Sequence, residues 1–180
     1  FTGPNLRAAG VDYDVRVMNP YSSYEDFDFI IPVGTNGDTY DRYMVRHVEM
    51  QQSMSIIRQA IQKLQSLKDQ TSFHADVPEF YLPPKDEVYN TMEGLIWHFK
   101  IVMGEVDIPK GEVYHCVEGG NGELGFYLIS DGGRTPYRLH FRRPCFIYYQ
   151  AYADMIRGSM LSDAILTMSS MNVIAGELDA

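Results

Sequence analysis

The stretch from Gly37 to Leu67, G-D-T-Y-D-R-Y-M-V-R-H-V-E-M-Q-Q-S-M-S-I-I-R-Q-A-I-Q-K-L-Q-S-L, constrains the fold most, because no other part of the chain keeps one period so long. Tyr43, His47, Met50, Met54, Ile57, Ile61 and Leu64 recur at alternating steps of four and three, the signature of one helical face. Met44, Val48, Ile56 and Ala60 widen that apolar stripe. Asp38 is placed to cap the helix, and Asp41 adds negative charge at the positive end of its dipole. A helix from Thr39 to Leu67 would be about 43 Å long, more than a small domain needs. The apolar face is therefore expected to form the centre of the fold, with part of it meeting another chain or a missing part of this one.

The 180 residues are 45% hydrophobic and 13% aromatic, enough for a globular core rather than a disordered chain. The opening Phe1-Thr2-Gly3-Pro4 lacks an initiator methionine, a basic region and an apolar leader, which reads as a cut inside a longer protein. A formal net charge of −9 argues against a general nucleic-acid binder, whose affinity rests on excess Lys and Arg. Apolar runs stay far short of the roughly 20 residues of a spanning helix. Cys116 and Cys145 form no C-x-x-C pair, so two reduced thiols are expected, with a disulfide between them as the alternative.

Residues 1–36 carry several Gly and Pro residues and should be irregular with low helix content. Within them Phe27 and Phe29 alternate with acids over Tyr24 to Ile31, as a half-buried edge strand would. Ser66 to Pro84, with Pro78 and Pro83, reads as a loop. Lys85 to Glu105 resumes helical period, with Val88, Met92, Leu95, Ile96, Phe99 and Met103 on one face. The period then changes to two. Glu112 to Glu118, Leu124 to Ser130 and Tyr137 to Arg142 read as a three-stranded antiparallel meander with Gly-rich turns. Phe146 to Arg157 and Ser159 to Ser170 read as helices around Gly158, followed by an apolar tail, Met171 to Ala180, without a helix or strand signal of its own. The expected fold class is α+β and α-rich: a long helix and further helices with a small three-stranded antiparallel sheet, over a single fragment spanning residues 1–180.

Gly120-Asn121-Gly122-Glu123-Leu124-Gly125 matches G-x-G-x-x-G, but a dinucleotide loop must open a helix, and here a strand follows. A hairpin turn is the better reading. His98, His115, Cys116, His140 and Cys145 lack the spacings that preset a metal chelate, so no metal is expected. His47 and His98 read as structural histidines. Arg134, Arg138, His140, Arg142 and Arg143 form a basic cluster in an acidic chain, and strand alternation puts Arg138, His140 and Arg142 on one face. That face is either solvated or docks an acidic partner or an acidic stretch of this chain. No G-x-S-x-G elbow or Ser-His-Asp set is present.

Thr2-Gly3-Pro4-Asn5-Leu6-Arg7, Pro20-Tyr21, Val33-Gly34, Gly37-Asp38-Thr39-Tyr40-Asp41-Arg42-Tyr43, Glu49-Met50-Gln51-Gln52-Ser53 and Ile56-Ile57 are followed by a second series of blocks. These are Leu95-Ile96-Trp97-His98-Phe99-Lys100, Gly111-Glu112-Val113-Tyr114, Gly122-Glu123-Leu124-Gly125-Phe126-Tyr127-Leu128, Ser130-Asp131-Gly132, Pro136-Tyr137-Arg138, Arg157-Gly158 and Gly176-Glu177-Leu178-Asp179. Their succession resembles the C-terminal half of the D-type, hydrogenase-like core component of respiratory complex I, NADH:quinone oxidoreductase. The resemblance implies a peripheral-arm subunit that helps form the quinone-reduction chamber, beside a neighbouring subunit's iron–sulfur cluster. It implies no cofactor within this fragment, and the family's quinone-head His and Tyr in the half that precedes it. It also implies partners among the other complex I subunits, contact with the membrane only through the complex, and a location on the cytoplasmic face of a bacterial inner membrane or the mitochondrial matrix side. The paired cysteines of the related nickel–iron hydrogenases are absent.

The family's C-terminus usually reads D-I-V-F-G-E-V-D-R and lines the quinone region. Here it reads Asn172-Val173-Ile174-Ala175-Gly176-Glu177-Leu178-Asp179-Ala180, so Asn172 replaces an acid, Ala175 an aromatic and Ala180 an Arg. Asn172, Ile174, Ala175 and Glu177 are the quinone-cavity candidates, and Arg138, His140 and Arg142 the candidates for docking a neighbouring subunit. The isolated fragment is expected to be inactive, and its tail to be mobile or buried by self-association. The alternative is an assembly or docking module that binds neighbouring subunits without contributing site residues.

Overall fold

The computed structural model describes residues 1–68, 77, 80–104 and 108–179. The order of elements is α1 (Gly3–Ala8), α2 (Val15–Met18), a 3₁₀ turn (Tyr24–Asp26), α3 (Thr39–Ser66), α4 (Lys85–Asn90), α5 (Met92–Val102), β1 (Gly111–Gly119), β2 (Gly122–Ser130), β3 (Arg138–Arg142), α6 (Pro144–Tyr149), α7 (Tyr152–Met155), α8 (Leu161–Met171) and α9 (Ala175–Asp179). The sheet is antiparallel with strand order β1-β2-β3. The expected α+β class, with one long helix and a three-stranded meander, holds.

The chain divides into two compact units, one of residues 1–66, 115–126 and 141–180, the other of residues 67–114 and 127–140. In the first unit α3 spans 28 residues. Asp38 Oδ1 accepts from the Asp41 amide at 2.8 Å, the capping bond expected of it. The Asp41 carboxylate accepts from the amides of Thr35, Asn36 and Gly37, folding the approaching chain over the helix start. These amides hold its pKa below the usual carboxylate value.

The face by which α3 packs is not the expected one. Tyr43, Met50, Met54, Ile57, Ile61 and Leu64 are all exposed, and the buried residues are Arg42 and Val45. The helix docks through polar side chains that satisfy groups at the C-terminal end of α8 and backbone groups of the irregular N-terminal chain. Arg46 donates to the carbonyls of Ser170 and Met171, and Arg42 to Ser170 Oγ and the Gly37 carbonyl. Gln59 donates to the Asp28 carbonyl and accepts from its amide, and Gln52 accepts from Ile30. This explains a second correction, that residues 24–31 form no strand. Their backbone finds its partners in glutamine side chains of α3, leaving nothing for a ladder. Phe27 lies under Lys63 Nζ at 4.8 Å, and Phe29 under the Arg16 guanidinium at 4.9 Å.

Arg7 ties the N-terminal segment down. Its side chain is almost fully buried, with Nη2 2.6 Å from Glu49 of α3, Nη1 2.8 Å from Glu118 of β1 and 3.2 Å from Asp14. Gly3, at φ +71°, crosses the β1–β2 turn so closely that a Cβ there would fall on the backbone of Gly122. That turn is Gly120–Asn121, the hairpin reading of the glycine-rich motif. The core of this unit is Cys145, Tyr148 and Met171, with Tyr152, Met155, Val173 and Leu178 packed against it.

Two further differences concern segments expected to be continuous or shapeless. The helix expected over Phe146 to Arg157 breaks after Tyr149, giving α6 and α7, and the tail forms the short α9. In the second unit the helix expected over Lys85 to Glu105 is two helices, because Thr91 is extended at φ −127° and ψ 146°. Thr91 Oγ1 accepts from the Gly94 amide at 3.0 Å and donates to the Glu87 carbonyl at 2.9 Å, closing one helix and capping the next. Met92, Leu95, Ile96, Phe99 and Met103, expected as a packed face, are exposed. Pro78 and Glu105 lie outside the described residues.

Candidate functional site

A cavity of about 940 Å³ opens in the first unit between the N-terminal half of α3 and the C-terminal end of α8. Asp38, Thr39, Tyr40, Tyr43, Arg46, His47 and Met50 line one side, and Leu166, Ser169, Ser170 and Asn172 the other. These positions fall on one helical face of α3 because 39, 43, 46 and 50, and likewise 39, 43, 47 and 50, follow in steps of three or four. Tyr43 and His47 stack with ring centroids 6.4 Å apart and planes at 15°. Gln51 Nε2 stands 3.2 Å from His47 Nε2. The walls are apolar and aromatic at Tyr40, Tyr43, Met50 and Leu166, and polar at Arg46, His47, Ser169 and Asn172. That mixture suits an amphipathic guest with an apolar body and a hydrogen-bonding head. Arg46 Nε is buried with no hydrogen-bond partner among the described residues, while its other nitrogens hold the α8 terminus. Burial, and to a lesser extent the neighbouring Arg7, pull the Arg46 guanidinium below its ordinary pKa, and Glu49 pulls the other way.

Of the four tail residues expected at a quinone cavity, Asn172 lines this one. It closes α8 in the left-handed conformation at φ 58°, and its amide donates to Asn121 Oδ1 of the β1–β2 turn at 2.6 Å. Ile174 and Ala175 are exposed and not among its lining residues, and neither is Glu177. Glu177 Oε2 instead accepts from the Cys145 amide at 3.0 Å. Cys145 Sγ lies 2.8 Å from Tyr148 Oη and 3.4 Å from Asn121 Nδ2, and Tyr148 Oη also lies 2.9 Å from the Asn172 carbonyl. Burial raises the Cys145 thiol, and it drives the Tyr148 phenol, hydrogen-bonded to that thiol, well above its ordinary range. The tail is thus tied at both ends. Ala180 lies outside the described residues.

The three basic docking candidates separate. Arg138 and His140 are exposed. Arg142 is half-buried, and its Nη1 donates to Thr2 Oγ1 at 3.2 Å and to the Glu123 carbonyl at 2.5 Å. It serves this chain's own N-terminal crossing. Cys116 and Cys145 are free and buried. Among the described residues no three His, Cys, Asp or Glu side chains stand together as a metal site, and no helix is long and apolar enough to cross a membrane.

Sequence reading missed Tyr43, His47 and Met50 as cavity residues because an apolar face at helical spacing is most simply read as core, and Arg46 because a charged residue beside that face reads as solvated. It missed Asn121 because a turn residue's tertiary partner has no local signal.

The model of the respiratory-chain NADH dehydrogenase 49 Kd subunit family matches residues 1–180. The chain belongs to that family. It is 73% identical over its whole length to the second D-type component of the NADH-quinone oxidoreductase of Cytophaga hutchinsonii, of which it covers 46%. It is 71% identical over its whole length to the D-type component of the same enzyme in Flavobacterium johnsoniae, covering 43% of that protein. Over 99% of the chain it is 56% identical to the D-type component from Leptospira biflexa, again covering 43%. The chain spans a little under half the length of these 49 Kd family relatives.

Proposed function

We propose that this chain supplies part of the wall of the quinone-reduction chamber in a peripheral-arm subunit of NADH:quinone oxidoreductase. The observation that carries the proposal is the open cavity that α3 and α8 line together with Asn172 of the tail. The family's names supply the substrate class, and the cavity's chemistry agrees with it. Tyr40, Tyr43, Met50 and Leu166 offer the apolar surface a prenylated ring needs, and Arg46, His47 and Asn172 offer donors to a quinone oxygen. The electrons would come from a neighbouring subunit's iron–sulfur cluster, and the chain itself would only bind, orient and exclude water. The other complex I subunits are its partners in this reading. Its place is peripheral, on the cytoplasmic face of a bacterial inner membrane, touching the membrane only through the complex. The 180 residues alone would not turn over.

A second reading, an assembly or docking module, is favoured by the apolar face of α3 that stands open from Met54 to Leu64, outside the cavity. The two readings separate in the assembled complex with Ser169→Phe, which fills the cavity without touching the open α3 face. The chamber reading expects normal assembly with a quinone KM raised several-fold. Normal assembly with unchanged quinone kinetics and inhibitor affinity would remove the cavity from the site and leave the docking role.

A further inference from the structure

We propose that Glu177 is a positioning residue: it fixes the C-terminal tail from behind, through the Cys145 amide, and does not touch whatever occupies the α3–α8 cavity. The consequence for activity rests on the quinone-chamber reading, whereas the anchoring itself does not.

The tail after α8 has two attachments with an exposed stretch between them. At its start Tyr148 Oη, 2.9 Å away, holds the Asn172 carbonyl, and Asn172 Nδ2 holds Asn121 Oδ1 at 2.6 Å. At its end the Glu177 carboxylate accepts from the Cys145 amide at 3.0 Å, and Leu178 packs against the Cys145, Tyr148 and Met171 core. Cys145 and Tyr148 are 0% and 1% exposed, so both attachments close on groups that water cannot satisfy in their place. Ile174, Ala175 and Gly176, between them, are exposed. Glu177 bonds an amide of the Cys145 core and is not among the residues that line the α3–α8 cavity, so it stands apart from a ligand there. What it does is set where Asn172 and the exposed turn stand. The bond needs an acceptor oxygen at this place and not a negative charge, so Gln can replace Glu and Ala cannot.

The test uses the assembled complex with Glu177→Gln, Glu177→Ala and Tyr148→Phe, and Ser169→Phe as the control on the chamber reading. Hydrogen exchange is followed at the Cys145 amide and over residues 172–179, and reduction of decylubiquinone is followed across pH. Glu177→Gln should keep exchange and kinetics within about twofold of the parent. Glu177→Ala should speed exchange at both places by about tenfold or more and raise KM with little change in kcat or in the pH profile. Tyr148→Phe should loosen the Asn172 end while sparing the Cys145 amide, so anchoring remains measurable if the Ala variant assembles poorly. Loss of activity in Glu177→Gln with unchanged exchange, or a shifted pH profile in that variant, would overturn the proposal and make Glu177 a charged group acting on the ligand. Unchanged quinone kinetics in both Ser169→Phe and Glu177→Ala, with exchange altered as expected, would refute the chamber reading and leave the anchor standing.

Discussion

Replacing Ile57 and Ile61 of α3 by Ala gives opposite expectations for a core helix and for an open one. The two side chains are 57% and 49% exposed, so about half of each is already in water. Full burial of such a side chain is worth about 1.5–3 kcal/mol, which makes the buried half worth about 1 kcal/mol. Part of that remainder is contact with the helix's own turns, and Ala gains about 0.4 kcal/mol in helix propensity over Ile. Each substitution should therefore cost no more than about 0.5 kcal/mol in the 180-residue polypeptide, where a core position would cost about 2–5 kcal/mol. Val45→Ala, on the packed face at 3% exposure, should cost about 2 kcal/mol and serves as the internal standard. Urea unfolding followed by circular dichroism reads all three. In the full-length subunit the same Ile variants should cost about 2 kcal/mol or more, because a face this apolar is stable in water only under a cover. A loss of about 2 kcal/mol at Ile57 or Ile61 in the 180-residue polypeptide would refute the packing described here.

Four other outcomes follow from the buried polar groups. Arg7→Met leaves Asp14, Glu49 and Glu118 without their shared cation and should cost about 3–5 kcal/mol by urea unfolding. Burial pulls the Asp14 carboxyl up, but the hydrogen bonds and charge of Arg16 outweigh it and leave its pKa below the ordinary 3.8. Asp14 thus contributes stability that is present above that pH and lost as pH falls through its folded value, and Asp14→Asn should remove this acid-side loss. Burial leaves Glu118 above its ordinary 4.5 despite Arg7, so its contribution is present below that pH and lost as pH rises through its folded value. Glu118→Gln should flatten the corresponding decline in a stability-versus-pH curve. Tyr148→Phe strips a partner from the Cys145 thiol and the Asn172 carbonyl and should cost about 1–3 kcal/mol by thermal unfolding.

The elements whose signal is local were legible in the sequence. The α3 period, its Asp38 cap and the alternation of β1 to β3 all depend on neighbours within a few residues, and all three appear in the fold. What could not be read was which face of α3 is buried. Its polar face carries Arg42, Arg46, Glu49, Gln52 and Gln59, which look like solvated residues until their partners are known. Those partners are distant: Ser170 and Met171, Arg7, Ile30 and Asp28. The break at Thr91 was hidden because threonine is common in helices and only its extended backbone and the Glu87 carbonyl contact mark it as a cap. Glu177 stood out from the sequence as a polar residue in an apolar tail, but its partner is a backbone amide 32 positions earlier, which no spacing rule could indicate.

The central claim is that the α3–α8 cavity, with Asn172 at its edge, faces quinone in the assembled enzyme. The most direct measurement is photolabelling of the whole complex with an azidoquinone, followed by peptide mass spectrometry and competition by excess decylubiquinone. The expected result is competed label on the peptides that carry Tyr40 to Met50 and Leu166 to Asn172. Label confined to other regions of the complex, with these two peptides unmodified under conditions that block turnover, would contradict it.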